Sequence, residues 1–235
     1  MKRIIVILLL LLINQRFYSQ GCSDAGFCSI NGMNPSNHLD STKTLKQQFS
    51  VGVTNGLAQF GVFISSPYVQ YDIQATKELG ISAKINYAII NGSLSSTNGF
   101  SDLFISTNYQ LSEKISMING VKAPFNTANK KYKGVDLPMS YQTSLGTVDY
   151  LVGLSYKHKN TLFSIGTQLP ILQNDNSFFV ENFLAEGINI NYISTNNYVR
   201  KADVIARFNY VVPLKNENLK LTMGVLPIYH IDNDQ

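Results

Sequence analysis

The stretch Gly99–Leu111, GFSDLFISTNYQL, alternates between apolar and polar side chains along nearly its whole length. Leu103, Ile105, Thr107, Tyr109 and Leu111 fall on one face, and Asp102, Phe104, Ser106, Asn108 and Gln110 on the other. A period of two marks a strand, because successive side chains of a strand point to opposite faces. It does not say which face is covered. A soluble sandwich turns the apolar face inward and the polar face to water. A membrane barrel does the reverse.

The same alternation recurs through the chain. Phe49, Val51 and Val53 alternate with Ser50, Gly52 and Thr54, and Val69, Tyr71, Ile73 and Ala75 with Gln70, Asp72, Gln74 and Thr76. Ile81, Ala83, Ile85, Tyr87 and Ile89 alternate with Ser82, Lys84 and Asn86. Further strands are expected over Ile115–Phe125, Met139–Lys157, the segment LFSIGTQLPIL, Asp203–Val212 and Leu219–Val225. The total is about nine, many of them about eight to twelve residues long. Strands of soluble proteins are mostly about five or six residues, whereas a tilted membrane strand needs about nine to eleven. The connections alternate as well. Short turns (KELG, SEK, KHKN, KNEN) trade places with longer polar segments at 91–99, 126–138 and 172–200, the last with a short helix expected around Phe178–Leu184. Short turns at one end and long loops at the other are the rhythm of outer-membrane barrels.

Composition bears on the membrane question in two ways. Tryptophan is absent, so any interfacial girdle falls to the 13 tyrosines and 13 phenylalanines. Tyr68, Tyr87, Tyr109, Phe125, Tyr141, Tyr156, Tyr210 and Tyr229 stand near expected strand ends, where an apolar ring with a polar tip suits a lipid–water boundary. The chain also opens with a basic start (Lys2, Arg3), an apolar core from Ile4 to Ile13 and a polar stretch ending Ser19-Gln20-Gly21. That reads as a secretory signal peptide over residues 1–20. Its removal takes Lys2, Arg3 and Arg16 from the 19 basic residues and leaves 16 against 15 acidic ones. A nucleic-acid partner has no electrostatic support from so neutral a chain.

Residues 21–44 form an N-terminal segment containing Cys22 and Cys28, which enclose a short polar loop. A local disulfide fits an oxidising compartment. Lipidation at Cys22 is the alternative, although Ser19 stands where a leucine-like residue would be needed. The remainder, 45–235, is the expected barrel domain. Within its strands Lys84, Asp102, Lys122, Gln142, Asp149, Asp203 and Arg207 lie on or near the less apolar face. In a bilayer the backbone must be fully paired and lipid-facing side chains apolar, so these seven are the candidates for lining an interior. On the solvent face of a sandwich they would be ordinary surface charges.

Signs of catalysis are sparse. His38, His158 and His230 have no spacing that supplies metal ligands or a triad, and no phosphate loop or G-x-S-x-G elbow occurs. A pairing of Asp149 with Ser144 or Ser155 is conceivable, but no histidine joins it by sequence logic. No cofactor or metal is expected, and the chain is read as a non-enzyme.

The segment GFSDLFISTNYQLSEKISMINGVKAPFN resembles the repeating element of the outer-membrane barrel family named for the meta-pathway of phenol degradation. The matching residues are Gly99, Asp102, Gly120, Lys122 and Pro124. LPMSYQTSLGTVDYLVGLSY is similar to the next element through Gln142, Gly146 and Asp149, and the likeness extends over about residues 66–231. The resemblance implies an antiparallel transmembrane barrel related to fatty-acid and aromatic-hydrocarbon transporters. It would sit in the outer membrane of a Gram-negative bacterium, with lipid, the barrel assembly machinery and a small apolar or amphipathic solute as partners. A structural or adhesive surface barrel is the other function class. Such barrels end on an aromatic residue, whereas this sequence ends LPIYHIDNDQ. C-terminal strands beyond this sequence are therefore expected, the alternative being a short form that closes differently or assembles from several copies.

Overall fold

The computed structural model describes residues 47–188, 190–196, 199–213 and 221–232. The expected signal peptide, Cys22, Cys28 and His38 lie outside the described residues. The strands in chain order are β1 (Gln47–Leu57), β2 (Phe63–Gln74), β3 (Leu79–Asn91), β4 (Ser96–Gln110), β5 (Ile115–Pro124), the two-residue β6 (Lys131–Tyr132) and β7 (Val135–Asp136), β8 (Val148–His158), β9 (Thr161–Leu172), β10 (Asp203–Val212), β11 (Leu221–Val225) and β12 (Ile228–His230). One helix, α1 (Val180–Ala185), lies between β9 and β10.

All long strands join one antiparallel sheet in the order β1-β2-β3-β4-β5-β8-β9-β10-β11, strongly curled into a half-barrel. β11 and β12 occupy a single place in it. Phe208 pairs with Val225 and Ile205 with Ile228 in one unbroken register along β10. The interruption falls at Pro227, which has no N–H to give to the ladder, while its carbonyl still accepts from Ala206 N at 3.1 Å. The long strands therefore fill nine places.

Because consecutive strands run in opposite directions, alternate connections collect at the same end. Connections 58–62, 92–95, 125–147 and 173–202 lie at one end, the loop end. Turns 75–78, 111–114 and 159–160 lie at the other, the turn end, where β10 also ends; the expected turn KNEN lies outside the described residues. Three boundaries differ from the sequence reading. The segment 91–99 is a tight connection at 92–95, because Ser96–Phe100 continue β4. The strand expected from Met139 begins at Val148, and the residues before it fold as a loop with a single 3-10 turn at Met139–Tyr141. The expected helix falls at Val180–Ala185.

The two faces of the sheet differ sharply. Outward-facing Phe49, Val51, Val69, Ile81, Ile105, Val121, Leu154, Ile165, Phe208 and Met223 are all exposed. The charged residues of the long strands are Asp72, Lys84, Asp102, Lys122, Asp149, Lys157, Asp203 and Arg207, and every one lies on the opposite, inner face. Some polar groups that point outward are paired: Tyr150 Oη donates to Asn119 Oδ1 at 2.9 Å, and Thr167 Oγ1 to the Asp203 carbonyl at 2.9 Å. Aromatics concentrate toward the two ends of the outer face. Phe63, Tyr87, Phe100, Phe125 and Tyr229 stand toward the loop end, and Phe49, Tyr71, Tyr109, Tyr156, Phe163 and Tyr210 toward the turn end. Two of the tyrosines expected in such a girdle are elsewhere. Tyr68 points inward, its ring lying over Gly52, where a Cβ would come within 2.6 Å of it. Tyr141 is fully buried beneath the loops.

The two longest connections, 125–147 and 173–202, pack on each other and on the loop-end residues of the inner wall. Leu137, Tyr141, Phe178 and Phe183 form one apolar cluster with Val62, Ala88 and Ile90. Asn176, 1% exposed, ties the loops together: its amide donates to the carbonyls of Ala128 (2.9 Å) and Leu137 (3.2 Å), and its oxygen accepts from Thr195 Oγ1 (2.6 Å). Gly146 sits at the tightest point. Its φ is +72°, and a Cβ would lie 2.6 Å from the Thr127 carbonyl carbon, so only glycine fits there.

Candidate functional site: a charged belt on the inner wall

Below the loop cluster the inner wall carries a belt of polar groups from β4 to β12, buried except for His230. Its centre is Lys122 on β5, 1% exposed, whose Nζ lies 2.7 Å from Asp149 Oδ2 and donates to Thr147 Oγ1 at 3.0 Å. Lys122 and Asp149 are direct cross-strand partners in the ladder, which is why the ammonium meets the carboxylate without bending either strand. Gln168 of β9 donates its amide to the same Asp149 oxygen. Asp203 follows on β10, opposite Gln168 in register. It is held by Arg200 Nη2 at 2.8 Å and by His230 Nδ1 at 2.5 Å from β12.

Asp102 flanks Lys122 on the other side, and local backbone geometry puts it there. The β3–β4 register shifts between Ile85 and Tyr87, so that Ser101 and Asp102 together oppose Asn86. Such a bulge re-aims side chains, and here two consecutive residues, Ser101 and Asp102, are both buried. Gly99, at φ +154°, supplies backbone freedom on the approach. Asp102 then accepts from Ser101 Oγ at 2.6 Å and from Ser144 Oγ at 2.7 Å. A second register shift, between Val148 and Asp149, adjoins the other carboxylate. Both acidic groups beside Lys122 thus stand at irregularities of the ladder.

The seven sequence candidates distribute as follows. Asp102, Lys122, Asp149 and Asp203 meet in the belt. Lys84 is apart from it on β3, its ammonium 3.9 Å above the centre of the Tyr68 ring. Arg207 lies nearer the turn end, where its Nε donates to Asn209 Oδ1 at 3.3 Å. Gln142 is not on a strand. It ends the short turn after Pro138 and clamps the loop, accepting from Lys130 N (2.8 Å) and donating to the carbonyls of Lys130 (3.2 Å) and Leu137 (2.8 Å). Neither imagined serine partner reaches Asp149: Ser144 turns to Asp102, and Ser155 lies 2.7 Å from Ser164.

Sequence reasoning missed Ser101, Ser144, Thr147, Gln168, Arg200 and His230 as members of the belt. Only Arg200, three residues before Asp203, left a local signal. Gln168 and His230 reach their partners through strand register, which no single segment encodes. Directly toward the turn end the wall becomes apolar, where Ile118, Leu151 and Ile205 pack with Leu226 and Ile228. It then turns to hydroxyls at Ser116, Ser155 and Ser164. Among the described residues no group of three or more His, Cys, Asp and Glu gathers as metal ligands do.

In the loop cluster, Tyr192 packs edge-on to Phe60 at 4.5 Å. Burial, foremost, and the neighbouring Tyr141 push its phenol up to about 12.

No known protein-family model matches the chain, and no curated protein matches it. The resemblance drawn from Gly99, Asp102, Gly120, Lys122, Pro124, Gln142, Gly146 and Asp149 therefore rests on those residues alone.

Proposed function

We propose that this chain forms an outer-membrane β-barrel acting as a channel or transporter for a small apolar or amphipathic solute. One observation carries the membrane part: the eight charged residues of the long strands share the inner face, while the outer face is apolar and exposed. A soluble half-barrel with that outer face would leave an apolar patch far larger than monomers tolerate. In lipid the same face is where it should be. Strand length supports the reading. An eleven-residue strand such as β8, tilted about 45° at about 3.3 Å per residue, climbs about 25 Å, the height of the apolar band of such barrels. The loop end would face outward and the turn end the periplasm. An apolar patch adjoining a charged belt on the wall supports that solute class, since the two could serve the two ends of an amphipathic molecule.

A filled structural or adhesive barrel is the second reading, favoured by the complete burial of Asp149, Gln168, Ile118 and Leu151. Reconstitution of the full-length protein separates the two. Flux of a small amphipathic solute into protein-bearing liposomes, with ion current across planar bilayers, is the expected result. Folded, inserted protein with neither flux nor current overturns transport in favour of the filled barrel.

A further inference from the structure

Lys122 is one cation between two buried carboxylates on opposite sides. Asp149 is its direct partner on β8. On β4 its direct partner is Phe104, and Asp102 lies two residues along from that pair. Such a diagonal neighbour is about 7–8 Å away, within reach of a long side chain. The two carboxylates are furnished differently. Asp149 shares one oxygen between Lys122 and Gln168, and its Oδ1 is buried with no hydrogen-bond partner. Asp102 has a hydroxyl on each oxygen, from Ser101 and Ser144. It therefore stays solvated by protein while Lys122 sits elsewhere.

We propose that Lys122 is a two-seat latch: it occupies Asp149 in the present structure and has Asp102 as a second, pre-formed seat. Transfer would carry the ammonium from the β8 side of the wall to the β4 side, with Gln168 still donating to Asp149 and the serines still beside Asp102. A lysine with one seat would have no need of a second carboxylate held ready by two hydroxyls at a bulge. The latch stands on wall geometry and does not require the channel reading.

The test is a mutant cycle on the full-length protein folded into phospholipid vesicles, with unfolding followed by urea titration. Asp102→Asn and Asp149→Asn each remove one seat. Each alone should cost modestly, because Lys122 retains the other. The double variant should lower the folding equilibrium at least tenfold more than the product of the single effects, because a buried ammonium is left without a carboxylate. Adding Lys122→Met to the double variant should recover most of that loss. Effects that simply multiply overturn the proposal, as does an Asp149→Asn variant as damaged as the double one. An Asp149→Asn protein that folds only when Lys122→Met is added overturns it too. On the channel reading, Asp149→Asn should also shift the single-channel current. An unchanged current beside intact synergy in unfolding would count against the channel reading and leave the latch supported.

Discussion

Replacing Ile105 by arginine measures what the outer face touches. Ile105 lies midway along β4, points outward and is 51% exposed; Phe100 stands toward one end of the strand and Tyr109 toward the other. If this face meets hydrocarbon, Ile105 is near the midplane, where arginine costs about 2–4 kcal/mol. At about 1.4 kcal/mol per decade, that is a loss of about 30- to 1000-fold in the folding equilibrium. Tyr109→Arg, near the turn-end aromatics, should cost only about 0–1 kcal/mol. If the face met water instead, both would be surface substitutions within about 0.5 kcal/mol, with no dependence on position along the strand. Urea titration of both variants in lipid vesicles, read by the gel shift between folded and heat-unfolded forms, gives the two numbers directly. Equal costs at 105 and 109 would refute the assignment of this face to lipid, even if both variants were destabilised.

Other consequences can be checked separately. Asn176→Ala removes a side chain that bonds both long loops; the Leu137 carbonyl keeps Gln142 as donor, but the Ala128 carbonyl loses its own, at about 1–3 kcal/mol. Trypsin should then cut the loop end faster than in wild type. Gly146→Ala places a methyl 2.6 Å from backbone at φ +72° and should slow or prevent refolding, whereas Gly134→Ala, with open space around it, should cost about 1 kcal/mol through φ alone. Protease added to whole cells should nick near Lys130 or Lys131 in the Asn126–Asp136 segment; protection there with cleavage at KHKN would invert the topology. Because the Tyr192 phenol is raised from 10.0 to about 12, its neutral form is the one the fold favours. That stabilisation is present below pH 10 and is lost as pH rises through about 12, so the loop cluster should become protease-sensitive in that window. Replacing Cys22 and Cys28 by serine should leave the barrel folded, since a short disulfide loop adds little, and intact mass will show whether a bond or a lipid adduct is present.

Much of the wall was legible in the sequence because its alternation is strict. Ile105 beside Ser106, or Val121 beside Lys122, can be placed on opposite faces from the chain alone once a strand is assumed. The turns were legible where short polar segments broke that alternation. The reading failed wherever the period was misleading. Residues 139–147 look strand-like but fold under the loops, because Tyr141 and Leu137 find a tertiary cluster to bury in. Tyr68 suits a girdle by type, yet it turns inward onto the space that Gly52 leaves. The belt was only half visible. Its charges could be assigned to one face, but the bulge that turns Ser101 inward beside Asp102, and the register that brings Gln168 to Asp149 and His230 to Asp203, arise between strands and leave no mark within any one of them.

Placement of the apolar outer face in a membrane fixes where the protein must be found in the cell. Fractionation of cells making the full-length protein tests it most directly, followed by gel migration of the membrane fraction with and without heating. The protein should float with the outer membrane, resist extraction by salt and migrate differently before and after heating. A soluble, monodisperse protein at neutral pH in the absence of detergent, with the same migration whether heated or not, would contradict it.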